Sequence, residues 1–305
     1  MTPTTPTGVL PVFQTPYTRG GSIDLPCLES ELHWVLDQGC DGFVMGMVSE
    51  VLRLSDAEVL SVAGRACEVA HARSGQCVIS VGAESTHVAV ERARQAETLG
   101  ATAVMAIPPL ATAIDDEEKL GYYSAMLDAV SLPVVVQDAS GYVGQPLSIE
   151  MQARIATTYP DRAVFKPEAP PIGPRVTALL EATGGAARIL EGTGGIALVD
   201  SHQRGIVGTM PGADVCWAVV ALWAALERGD EAVVGAINAP LTELISLQGA
   251  LDSFLAVEKH LLVRQGILAN AIVRGPVSFR LDGALTERVD SLFDQLRASV
   301  DALAT

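Results

Sequence analysis

Ala163-Val164-Phe165-Lys166-Pro167-Glu168 sets a lysine at the end of an apolar run that contains no other polar residue. A run of this kind reads as a strand buried on both faces. An ammonium at its end costs several kcal/mol unless it is paired or gives up its proton, and a lysine that gives up its proton is a nucleophile toward carbonyl carbon. The chain holds only three lysines. Lys119, in Asp115-Asp116-Glu117-Glu118-Lys119, and Lys259, in Glu258-Lys259-His260, are read as charges on solvated helix faces. Lys166 has no such setting. A buried ion pair with Glu168 is the plain alternative to a chemical role.

Outward from this run, similar short aliphatic stretches recur along the chain at 8–13, 42–46, 77–81, 103–107, 133–137, 163–166, 188–191 and 206–209. A longer segment of helical periodicity follows each one, and helix starts are marked by Ser55-Asp56-Ala57-Glu58 and Ser148-Ile149-Glu150, a hydroxyl cap ahead of acidic residues. Alternating strands and helices with doubly apolar strands predict an α/β fold, a (β/α)8 TIM barrel over residues 1–228. Residues 229–305 lack strand signals and are expected to form a helical extension packed on the barrel, with helices at 230–247, 251–268 and 285–303 and a break at Gly275-Pro276.

Composition narrows the function classes. The chain is 49% hydrophobic and 18% charged, the balance of a protein with a large core, and its formal net charge of −16 disfavours nucleic acid and anionic membrane as partners. The opening Met1-Thr2-Pro3-Thr4-Thr5-Pro6-Thr7 has neither a basic start nor an apolar stretch, so a cytosolic protein is expected. Cys27, Cys40, Cys67, Cys77 and Cys216 are odd in number, widely spaced and read as free thiols. No motif of metal-ligand spacing occurs, and no metal is assigned.

In a parallel barrel the active site lies at the C-terminal ends of the strands, where Lys166 falls. The same mouth would receive Gly46-Met47-Val48-Ser49-Glu50, Gln137-Asp138-Ala139-Ser140-Gly141-Tyr142, Glu191-Gly192-Thr193-Gly194-Gly195 and Gly208-Thr209-Met210-Pro211-Gly212. Backbone N–H groups at Val48 and Ser49, with the Ser49 hydroxyl, are candidates for a substrate carboxylate. Gln137 can orient a hydroxyl or a water but has no titratable proton. Glu168 is the candidate base, against a structural carboxylate. Glu50 reads as structural or substrate-binding, and Tyr142 as a phenol in the loop or a packing residue. Thr193, Gly194 and Thr209 are candidates for distal hydroxyls, and Asp138 reads as a turn residue. Thr193-Gly194-Gly195 also admits a phosphate cradle.

Across almost the whole chain these residues resemble the pyruvate-dependent class I aldolases and lyases that include dihydrodipicolinate synthase and N-acetylneuraminate lyase. The resemblance rests on Asp41 to Gly46 leading to Glu50, on Leu132-Pro133-Val134-Val135-Val136, on the strand-six lysine and on Gly205 to Gly208. It implies that Lys166 forms a Schiff base with a 2-oxo acid, that no cofactor beyond this covalent imine is needed, and that the protein is a homotetramer or homodimer. The synthase relay is missing: its hydroxyls are replaced by Met47 and Val48, its tyrosine after strand five by Gln137, and its subunit-crossing tyrosine by Leu110. Ser49-Glu50, Gln137-Asp138-Ala139 and Phe165-Lys166-Pro167-Glu168 look instead like the 2-keto-3-deoxyarabonate dehydratase branch, although Glu191 to Gly195 does not match it clearly. The reading is a Schiff-base lyase dehydrating a 2-keto-3-deoxy sugar acid. A carbon–carbon aldolase and a catalytically impaired 2-oxo-acid-binding homologue stand as alternatives.

Overall fold

Strands and helices alternate from the first strand to the last in a computed structural model that describes residues 5–141 and 143–303. The strands are β1 (Gly8–Val9), β2 (Gly42–Met45), β3 (Gln76–Ser80), β4 (Ala103–Ala106), β5 (Val134–Asp138), β6 (Ala163–Pro167), β7 (Arg188–Glu191) and β8 (Gly208–Thr209). The helices between and after them are α1 (Leu25–Asp37), α2 (Asp56–Arg73), α3 (Thr86–Thr98), α4 (Asp116–Ala129), α5 (Ile149–Thr158), α6 (Ile172–Ala182), α7 (Leu198–Gln203) and α8 (Cys216–Arg228). All pairings between neighbouring strands are parallel, in the order β1-β8-β7-β6-β5-β4-β3-β2. A parallel bridge from Val12 to Val44 joins the two ends of the sheet and closes the barrel.

β1 is shorter than its apolar run. Leu10 N–H still donates to Thr209 O and Val12 N–H to Pro211 O, but Pro211 has no N–H to return to Leu10, so the regular ladder with β8 stops at Val9 and resumes as a bridge at Val12. Both helix starts expected from their caps are present: Ser55 and Glu58 form a capping box on α2, and the Ser148 hydroxyl accepts from Met151 N–H at the start of α5.

Side-chain alternation separates two cores. Val44, Val78, Met105, Val135, Val164 and Leu190 fill the barrel interior with Leu10, Val12 and Met210. Their strand neighbours, such as Phe43, Ile79, Val104, Val136, Phe165 and Ile189, face the surrounding helices. The two-residue period of a strand carries the inward face from Val135 to Gln137 and from Val164 to Lys166, one layer nearer the C-terminal mouth.

Three further helices complete the chain: α9 (Glu231–Ile245), α10 (Leu251–Arg264) and α11 (Gly283–Asp301). α10 lies across the mouth, with Leu251 packed on the small cluster of Met47, Ile107 and Ala139. The expectation that Lys259 sits on a solvated helix face is corrected. Lys259 is fully buried, and its ammonium donates to Thr15 O (2.8 Å), Ile272 O (2.7 Å) and the Glu50 carboxylate. α10 buries Asp252, Ser253, Glu258 and Lys259 together with its apolar residues. Lys119 keeps a partly exposed place beside Asp116, at 3.2 Å. Among the described residues no helix is long and apolar enough to cross a membrane.

Candidate active site

β5 and β6 pair with Gln137 opposite Lys166, which sets the two inward side chains next to each other. Glu168, two residues beyond Lys166, points the same way. The Lys166 ammonium lies 3.2 Å from Glu168 Oε1, and the Gln137 amide donates to Glu168 Oε2 at 2.8 Å. All three are at most 5% exposed. Burial pushes the Glu168 carboxyl up from its ordinary value, opposed by the charge of Lys166 and by the bond from Gln137. A more basic carboxylate beside an ammonium is suited to taking a proton from it. Gln137 Oε1 is buried and has no hydrogen-bond partner among the described residues, which leaves an acceptor for a ligand hydroxyl.

These groups open into a cleft of about 450 Å³, counting the space between atoms to its open mouth. Gly46, Met47 and Val48 form one wall, Gly192 and Gly194 another, and Met210 to Gly212 a third, while Leu251, Phe254 and Glu258 of α10 cover it. Of the substrate-binding candidates, Val48 and Gly194 lie in the cleft wall. Gly192 and Gly212 belong to the strand-end runs expected at this mouth, whereas Glu258 joins the site from α10 without belonging to any pattern of residue types that marks it in the sequence. A Cβ on Gly192 would lie 2.7 Å from Lys166 Cε and 2.9 Å from both Lys166 Cγ and Glu168 Cγ, so the bare backbone makes room for the lysine.

Ser49, Glu50, Thr193 and Thr209 do not line the cleft. The Ser49 hydroxyl donates to Phe13 O (2.6 Å) and accepts from Gly46 N–H (3.0 Å), while the Ser49 N–H goes to Gly46 O (3.0 Å). These bonds fix the turn after β2 instead of reaching for a carboxylate. Glu50, at φ 60°, holds Lys259 and accepts from Arg274 N–H at 2.8 Å. The Thr209 hydroxyl donates to Glu191 Oε2 at 2.7 Å, and both the N–H and hydroxyl of Thr193 donate to Glu191 Oε1. Held by a carboxylate, these Thr193 and Thr209 donors are closed to a phosphate. Asp138 is the turn residue expected, accepting from Ser140 and Leu147 N–H, with Arg175 at 3.3 Å. Tyr142 lies outside the described residues. Among the described residues no group of three or more His, Cys, Asp or Glu converges in the manner of a metal site, and the five cysteines are free.

Comparison with known proteins places this geometry in a family. The chain is 29% identical over 218 residues to the L-2-keto-3-deoxyarabonate dehydratase of Azospirillum brasilense, a match covering 67% of each chain. It is 29% identical over 154 residues to the 4-hydroxy-tetrahydrodipicolinate synthase of Rhizobium meliloti, covering 50% of this chain and 52% of that enzyme. The crystal structure of dihydrodipicolinate synthase from Rhodopseudomonas palustris superposes with a TM-score of 0.86 at 25% identity, over 95% of this chain and 98% of that one. Residues 5–291 match the model of the dihydrodipicolinate synthetase family. The chain belongs to that family, whose members are class I aldolases and lyases acting through a lysine Schiff base.

Proposed function

We propose that this protein is a lysine-imine lyase that removes water from a 2-keto-3-deoxy sugar acid. The observation that carries the reading is the buried trio of Lys166, Glu168 and Gln137 at the ends of two paired strands. Lys166 Nζ, after passing a proton to Glu168, attacks the C2 carbonyl of the substrate, and Glu168 returns that proton to the departing hydroxyl, so that water leaves, the iminium forms and Glu168 is again a carboxylate. The iminium acidifies the C3 protons, and Glu168, with its raised basicity, stands beside the imine nitrogen to take one. Collapse of the resulting enamine expels the C4 hydroxyl as water, and hydrolysis of the imine frees the dehydrated acid and Lys166.

Two features favour dehydration over carbon–carbon cleavage. Gln137 stands where the aldol route of the resembling synthases has a tyrosine, and an amide cannot take from the C4 hydroxyl the proton whose removal carbon–carbon cleavage requires. Its unpartnered Oε1 can instead accept a bond from a sugar hydroxyl. The wall at Met47 and Val48 is the proposed seat of the substrate carboxylate, reached through backbone N–H groups. The Azospirillum enzyme, by its name, acts on a substrate of this class.

The test is product analysis with a 2-keto-3-deoxypentonate. Loss of one water with no pyruvate supports the reading. Release of pyruvate and a two-carbon aldehyde would replace it with the aldolase alternative.

A further inference from the structure

Among the described residues three titratable groups line the cleft, and Lys166 and Glu168 account for two of them. The third is Glu258. It comes from the C-terminal extension, not from a barrel strand. Its Oε2 accepts from the Gln14 side-chain amide at 2.6 Å, and Gln14 in turn gives its backbone N–H to Glu31 of α1 at 2.8 Å. Asp214, just past β8, lies against the same side of Gly212 as Glu258: a Cβ on that glycine would meet Asp214 Oδ1 at 2.6 Å and Glu258 Oε1 at 2.8 Å. Two carboxyl groups thus crowd one bare glycine at the cleft wall, with a third behind Gln14.

All three are at most 2% exposed, and no ion pair among the described residues reaches Glu31, Asp214 or Glu258. The Lys259 ammonium, whose charge acts on Glu31, is held by Glu50. Carboxylates packed together away from water and without cations cannot all ionise, so protons stay on them near neutral pH. Burial and the charges of Asp214 and Glu31 hold the Glu258 carboxyl well above the ordinary carboxylate range. The lyase mechanism has a vacancy for such a group, because the C4 hydroxyl leaves as water only if an acid supplies a proton, and Gln137 cannot.

We propose that Glu258 is the acid that protonates the departing C4 hydroxyl, with Asp214 and Glu31 as the positioning residues that keep it protonated. This rests on the dehydratase reading above. In the step, Glu168 takes the C3 proton, the electron pair of that bond forms the C3–C4 double bond, and the C4–O bond breaks. The oxygen departs with the proton of Glu258. Glu258 is then an anion and Glu168 a neutral acid, and transfer of one proton between them through solvent restores the site.

The experiment pairs Glu258→Gln with two substrates, a 2-keto-3-deoxypentonate and its 4-fluoro analogue, whose fluoride leaves without a proton. Borohydride-trapped adduct on both proteins reports imine formation independently. The expected result is a normal adduct, a fall in kcat of about 100-fold on the hydroxy substrate, and fluoride release close to that of the unaltered protein. Asp214→Asn should shift the basic limb of the kcat profile to lower pH, since it removes the charge that holds the Glu258 proton. Full turnover of Glu258→Gln, an equal loss on both substrates, a missing adduct in the variant alone, or an unmoved basic limb in Asp214→Asn would overturn the assignment. An adduct missing from the unaltered protein as well would instead fell the lyase reading and the acid with it.

Discussion

Gly192 of the loop after β7 lies against the side chain of Lys166, so that a single added methyl would come within 2.7 Å of its Cε. The lysine is boxed at two points, because the same methyl would also press on Lys166 Cγ and Glu168 Cγ at 2.9 Å. Gly192→Ala is therefore expected to displace both groups. A misplacement on the order of 1 Å lowers rate by about 100-fold, and kcat/KM of the variant should fall by that amount while its melting temperature stays near that of the unaltered protein. Activity unchanged in Gly192→Ala would mean that Lys166 does not need its observed position.

Lys259 and Glu50 join α10 to the turn after β2 through a fully buried ion pair. Removing the cation leaves Glu50 charged, buried and short of a partner. Lys259→Met is expected to destabilise the fold by about 3–5 kcal/mol, against less than about 1 kcal/mol for Lys119→Met, whose partner is half exposed. Denaturant melts of the two variants make the comparison.

Ser49 stabilises the cleft wall without entering the cleft. Ser49→Ala leaves Phe13 O and Gly46 N–H without their buried partner, a loss of about 1–3 kcal/mol. Stability should drop while KM for the substrate stays within about twofold of normal. A large rise in KM with intact stability would return the Ser49 hydroxyl to carboxylate binding.

The buried carboxyls also make stability depend on pH. Burial pushes Glu31 up to about 8 and Asp214 up to about 7, from ordinary values of 4.5 and 3.8. Between the ordinary and the raised value, the folded chain holds a proton that the unfolded chain releases, so stability falls as pH rises through that window and levels off above it. The protein should be more stable at pH 6 than at pH 8. Glu31→Gln should flatten the decline by on the order of 2 kcal/mol, measured as unfolding free energy across that range.

Much of this architecture is legible in the sequence because barrel strands carry their signal locally. The eight apolar runs coincide with the eight strands to within a few residues, and the position of Lys166 at the end of one of them comes from counting by twos from Val164. What escapes is settled by contacts distant in sequence. Lys259 looks solvated in Glu258-Lys259-His260, yet its partner Glu50 is 209 residues away, and Glu258 meets Gln14 across 244. Ser49 and Thr209 have the right chemistry for a substrate, but their hydroxyls are taken by Phe13 O and Glu191. α10 does carry one local sign of its role: Asp252, Ser253, Glu258 and Lys259 are interleaved with Phe254, Leu255, Val257, Leu261 and Leu262, leaving no continuous polar face.

The central claim is the covalent imine on Lys166, and intact mass after borohydride reduction tests it most directly. Incubated with pyruvate or a 2-keto-3-deoxypentonate, the unaltered protein should gain one reduced adduct, mapped to the peptide holding Lys166, and Lys166→Ala should gain none. Absence of an adduct with either acid, or an equal adduct on Lys166→Ala, would contradict the account and leave Lys166 as the buried partner of Glu168.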